Sequence, residues 1–168
     1  MSYELQALIG TLELLRVAAA EVPAARVVPL AQGLALIPVT SGVLAALQGD
    51  GSVRKPGGGS GFSWYSDGFE LRLAAWSKAG PLACVEAEYY GGSGMQRAVV
   101  WEDGRVVLGP LAVGEFEPVP PEGAPISRAL RRIGARTEEG RSDEFDSVGL
   151  GAHRSTGSWA GTDRVGVD

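Results

Sequence analysis

The chain of 168 residues has the length of one ordinary domain with a sizeable core. Its 45% hydrophobic and 21% charged residues sit near the globular average and exclude global disorder, while a single cysteine excludes a disulfide scaffold and fits a reducing compartment. Twenty Asp and Glu against fifteen Lys and Arg leave a net charge of −5, the wrong sign for the basic footprint that drives nucleic-acid binding and the right one for a cationic partner.

Leu5, Leu8, Leu12 and Leu15 fall at helical spacing, so the first twenty residues can be read as mainly helix. The preferred reading is a strand over 3–9 followed by a helix over 12–21, because Thr11 is a suitable N-cap with Glu13 in the first turn. Pro23 ends that helix, and residues 33–39 read as a short buried strand whose Pro38 marks an edge or a strand end. Thr40 or Ser41 then caps a short helix over 43–48. The start Met1-Ser2-Tyr3-Glu4 lacks the positive charge of a signal peptide, and no apolar run approaches the ~18 residues of a spanning helix. A cytoplasmic protein, not inserted in a membrane, is expected.

Residues 49–61 are Gly-rich and offer nothing apolar to bury, which predicts a flexible surface loop. Arg54-Lys55 precede the glycines, so the segment is not a phosphate-cradling Walker loop. Asp67 caps a helix over 69–78, where Phe69, Leu73 and Trp76 form one stripe and Gly80-Pro81 provide the stop.

Residues 82–90 and 95–101 read as a β-hairpin closed by Gly91-Gly92-Ser93-Gly94, a loop that sets Glu88 opposite Arg97. By alternation Ala83, Val85, Ala87 and Tyr89 share a core-like face, and Cys84, Glu86, Glu88 and Tyr90 share the other. Asp103-Gly104 is a two-residue turn into a third antiparallel strand over 105–108, and residues 114–123 form an acidic, proline-rich loop. Pro125 opens a helix whose Ile126, Ala129, Leu130 and Ile133 oppose Arg128, Arg131 and Arg132, with Gly134 as its end. From residue 135 the chain reads as charged and irregular, anchored by Phe145, Val148, Leu150 and Trp159. The expected fold is α+β, an antiparallel β-meander packed by one apolar face against two or more short helices. A single domain over 1–160 ends in a frayed tail at 161–168.

Glu86 and Glu88 project about 7 Å apart from one strand face, a separation glycosidase carboxyl pairs also use, though a surface ion pair with Arg97 explains them as well. His153 is the lone histidine and has neither a nucleophile motif beside it nor the partners of a zinc site. Asp143-Glu144-Phe145-Asp146 gathers three carboxylates around an aromatic without the register of a calcium loop, and reads as a solvated acidic turn. No catalytic residue, metal or cofactor is assigned.

Three stretches carry a resemblance: residues 85–101 with Glu86, Glu88, Tyr90, Arg97 and Trp101; Pro125-Ile126-Ser127-Arg128-Ala129-Leu130; and Asp143-Glu144-Phe145-Asp146-Ser147-Val148-Gly149-Leu150-Gly151-Ala152-His153-Arg154. They resemble a group of small actinobacterial proteins, some of them similar to immunity proteins of secreted toxin systems. Together with the acidic balance, this leads to the expectation of a non-enzymatic binding protein that neutralises a toxin through Glu86, Glu88, Tyr90, Asp143, Glu144, Asp146 and His153. The alternative is a small hydrolase or ligand-binding enzyme using Glu86 and Glu88 near His153.

Overall fold

The computed structural model describes residues 2–48, 67–90 and 93–161. The Gly-rich segment at 49–61 and the tail from 162 lie outside the described residues. The fold is α+β: a six-stranded antiparallel sheet in the order β2-β3-β1-β4-β5-β6, flanked by short helices. The strands are β1 (Ser2–Thr11), β2 (Val28–Pro29), β3 (Leu34–Pro38), β4 (Leu82–Tyr90), β5 (Ser93–Glu102) and β6 (Arg105–Val113). The helices are α1 (Leu12–Ala20), α2 (Ser41–Gln48), α3 (Asp67–Trp76), α4 (Pro125–Arg132), α5 (Glu144–Val148) and α6 (Thr156–Ala160). None is long and apolar enough to cross a membrane.

Local chemistry explains most of these boundaries. Thr11 leaves β1 in extended geometry and its Oγ1 accepts from the Leu14 N–H at 3.2 Å, so strand passes into helix without a loop. Thr40 does the same for α2 through the Val43 N–H at 3.3 Å. Asp103 and Gly104, at φ +56° and +84°, make the tight turn from β5 to β6. Pro125 opens α4 where its missing N–H costs nothing.

The meander β4–β5–β6 is present, but its two helices do not share a face. Leu8, Ala35, Ile37, Leu82, Cys84, Val99 and Trp101 project to one side and pack under α1, α2 and α3. Leu5, Ala7, Ile9, Ala83, Val85, Ala87, Ala98 and Val100 project to the other, under α4, α5 and α6. The sheet is therefore the middle of three layers, and both sides of β4 are buried from Leu82 to Ala87. The one-faced expectation fails because β1, far away in sequence, brings Leu8 beside Cys84 and extends an apolar surface behind it.

The hairpin register is also corrected. Arg97 pairs with Glu86, and Glu88 pairs with Met95, because only two residues separate the paired Tyr90 and Ser93. Gly94 belongs to β5 opposite Tyr89, where an added Cβ would lie 2.6 Å from the Tyr89 ring and 2.7 Å from its Cα. An aromatic lying over a strand glycine supplies the packing the glycine lacks. The slip is by two residues, so Arg97 stays on the carboxylate face.

The segment after α4 is less irregular than its composition suggests. Asp143 Oδ1 accepts from the Asp146 N–H at 2.9 Å and caps α5, and Ser155 Oγ accepts from the Ser158 N–H at 2.9 Å and caps α6. Val148, Leu150 and Trp159 enter the core as expected, and Phe145 packs half-buried against Tyr3 with ring centroids 5.6 Å apart.

Candidate partner-binding surface

On the α1–α3 side, successive cross-strand rows change character along β1, β4 and β5. Leu8, Cys84 and Val99 form an apolar row; Gln6, Glu86 and Arg97 form the next; Glu4, Glu88 and Met95 follow; and Ser2, Tyr90 and Ser93 end the sheet. The core thus gives way to a polar end within two residues of each strand.

Glu86 is buried, at 6% exposure. Its Oε1 lies 3.3 Å from Arg97 Nη1, and its Oε2 accepts from Gln6 Nε2 at 3.5 Å. The Arg97 side chain remains one-third exposed. Beneath this row, Cys84 is fully buried, and burial together with the charge of Glu86 pushes its thiol pKa well up.

The next row opposes two carboxylates, Glu4 and Glu88, directly across β1 and β4. Like charges in that position destabilise a sheet. Glu4 is anchored by Thr156, whose Oγ1–H donates to Oε2 at 2.6 Å and whose N–H donates to Oε1 at 3.2 Å. The same Thr156 oxygen accepts the Gln6 N–H at 2.9 Å, and the Glu4 N–H reaches the Arg154 carbonyl at 2.9 Å. The chain at 154–156 so covers the edge of β1 that β3 leaves open. Glu88 is exposed, and Tyr90, 58% exposed, donates its hydroxyl to Glu88 Oε2 at 3.4 Å.

The other expected site residues lie elsewhere. Asp143 caps α5, and Asp146 Oδ2 accepts from the Ser142 N–H at 3.1 Å with Arg141 Nη1 3.5 Å from Oδ1. Glu144 is buried and takes a two-point hydrogen bond from Arg131, Nε at 2.9 Å and Nη2 at 3.4 Å. Burial would raise the Glu144 pKa; hydrogen bonds from Arg131, its own backbone and Thr137, with the Arg131 charge, outweigh it and hold the carboxyl below its usual value. These three acids belong to the α4–α6 side, opposite Glu86. His153 is exposed, with Nδ1 3.1 Å from Ser158 Oγ and its ring edge-on to Trp159 at 4.6 Å. Trp159 belongs to the α4–α6 layer, so His153 is not gathered with Glu86 and Glu88. Among the described residues no group of three His, Cys, Asp or Glu could hold a metal ion.

Glu4 and Gln6 escape notice in the sequence because only the β1–β4 pairing sets them beside the glutamates. Gln96 escapes it too: buried, it donates to Tyr89 Oη at 2.8 Å and accepts the Ile126 N–H at 2.9 Å, fastening the start of α4 to the sheet. No protein family, curated protein or solved structure matches the chain.

Proposed function

We propose that this is a non-enzymatic cytoplasmic binding protein that takes a cationic protein partner on the polar end of the sheet, in the manner of an immunity protein neutralising a toxin. The observation that carries the reading is the opposed pair Glu4 and Glu88 beside exposed Tyr90. Glu4, held by Thr156, and Glu88, open to solvent, place two negative charges at opposed positions of the sheet end, and a basic side chain from a partner that reaches Glu88 gains a charge-assisted hydrogen bond there. Tyr90 supplies an aromatic anchor of the kind that concentrates binding energy, and the net charge of −5 steers a basic protein toward the surface. Glu86 and Arg97 support the row from beneath, and the resemblance of the C-terminal half to small actinobacterial proteins, some of them similar to immunity proteins, motivates this role. The engaged carboxylates of Asp143, Glu144 and Asp146 contribute to the field and leave the contact to Glu88 and Tyr90.

Affinity capture from the native host with wild type, Glu88→Lys and Tyr90→Ala tests the reading. A basic protein retained by wild type and lost from both variants supports it. Capture of no basic protein, or of the same proteins by all three, contradicts it.

A further inference from the structure

The connection between β6 and α4 begins with a tight turn, in which the Glu117 N–H donates to the Gly114 carbonyl at 3.1 Å and the Glu117 carboxylate accepts the Gly114 N–H. Its third residue, Phe116, has φ +68°. Turns with a positive φ there ordinarily use glycine or asparagine, because an L side chain crowds the backbone. Phe116 is also 88% exposed, more than any other large hydrophobic among the described residues. A strained backbone presents an aromatic ring to water, an arrangement unfavourable on both counts for an isolated chain. Glu115 and Glu117 flank the ring, and Glu122 follows.

Beside this connection, Leu108 of β6 and Arg128, Arg131 and Arg132 of α4 line an open groove of about 350 Å³. The groove is tied to the connection by Arg131 Nη1, which donates to the Glu122 carbonyl at 3.1 Å. Arg131 pairs with Glu144 and Arg132 with Glu102, and Arg128 meets no carboxylate among the described residues. An apolar floor rimmed with guanidinium groups complements an aromatic ring flanked by carboxylates. The chain's own Phe116 does not enter it, since the ring stays exposed.

We propose that this face is a homodimer interface, in which the Phe116 turn of each copy seats in the Leu108–Arg128–Arg132 groove of the other. The connection that carries the turn is fastened to the groove through Arg131 and the Glu122 carbonyl, and a twofold axis makes the two turn-to-groove contacts of such a pair equivalent. A groove of this size lies at the small end of binding pockets and has room for the phenyl ring together with the side chains beside it, with the Glu–Arg pairs forming the rim. The edge of β6 is interrupted for edge-to-edge pairing at Pro110, which lacks an N–H. The dimer leaves Glu4, Glu88 and Tyr90, on the far side of the sheet from α4, uncovered.

Sedimentation equilibrium of the full chain over a range of concentration and salt tests this. A reversible dimer that weakens with salt is expected, and Phe116→Gly, Arg128→Glu and Glu115→Arg should each weaken it by about tenfold or more. Mixing the two charge-reversed chains should restore association, since one contact is then native and the other reversed in both partners. Phe116→Gly relieves the positive φ, so its unfolding midpoint, measured below the dimerisation range, should equal or exceed that of wild type. A wild type that stays monomeric, a dimer indifferent to Phe116→Gly, or a lowered midpoint in that variant would each overturn the proposal.

Discussion

Replacing Arg131 by Met removes the cation from a buried carboxylate while keeping an unbranched side chain over it. Glu144 is 6% exposed and Arg131 51%. Breaking a fully buried pair costs about 3–5 kcal/mol, and an exposed pair contributes about 0–1. With one partner dry and the other half in water, the expected loss is about 2 kcal/mol, or about 4–8 °C in midpoint for a chain of this length. The pH dependence separates the charge from lost packing. In wild type the Glu144 pKa is depressed, so its contribution is full above the ordinary carboxylate range and disappears as pH falls through the native value. In the variant burial is opposed only by the backbone and Thr137 hydrogen bonds, so the pKa rises relative to wild type, and protonation relieves the unpaired charge. The gap between wild type and variant should therefore be largest near pH ~7 and close toward pH ~3. Urea unfolding followed by tryptophan fluorescence measures it. A gap of equal size at both pH values, or none, would refute the reasoning.

Gln96→Leu should destabilise by about 1–3 kcal/mol, because it strands the buried Ile126 N–H and the Tyr89 hydroxyl, and hydrogen exchange at Ile126 should accelerate. Gly94→Ala should cost about 1–3 kcal/mol or more in denaturant unfolding, since the methyl group collides with the Glu88 carbonyl oxygen and with Tyr89. Cys84 should react with a thiol reagent only at the rate of unfolding, being buried with its pKa pushed up; rapid stoichiometric labelling of the native protein would contradict its placement.

The parts of the fold legible in the sequence are those decided by local chemistry. Thr11 before Leu12, Pro125 before Ile126, and Asp103-Gly104 each specify a backbone conformation by themselves, and the structure has a cap, a helix start and a turn there. What was not legible depends on partners distant in sequence. Gly94 looks like loop until Tyr89 lies against it, and the second apolar layer exists only because β1 pairs with β4 and carries β3 on its other edge. The candidate surface divides the same way. Alternation sets Glu86 and Glu88 on one face, but their opposite fates follow from neighbours, since Gln6 and Arg97 enclose Glu86 while Glu4 confronts Glu88. Asp143 and Asp146 look like solvated acids because capping bonds leave no mark on composition.

The most direct test of the proposed binding role is the association rate of the captured basic protein with wild type and with Glu88→Lys, measured at low and high salt. The expected result is a wild-type rate that falls steeply with salt and a variant that associates about tenfold or more slowly at low salt, the two converging as screening removes the steering. Equal rates for the two chains at low salt would contradict the assignment of the polar sheet end as the contact surface.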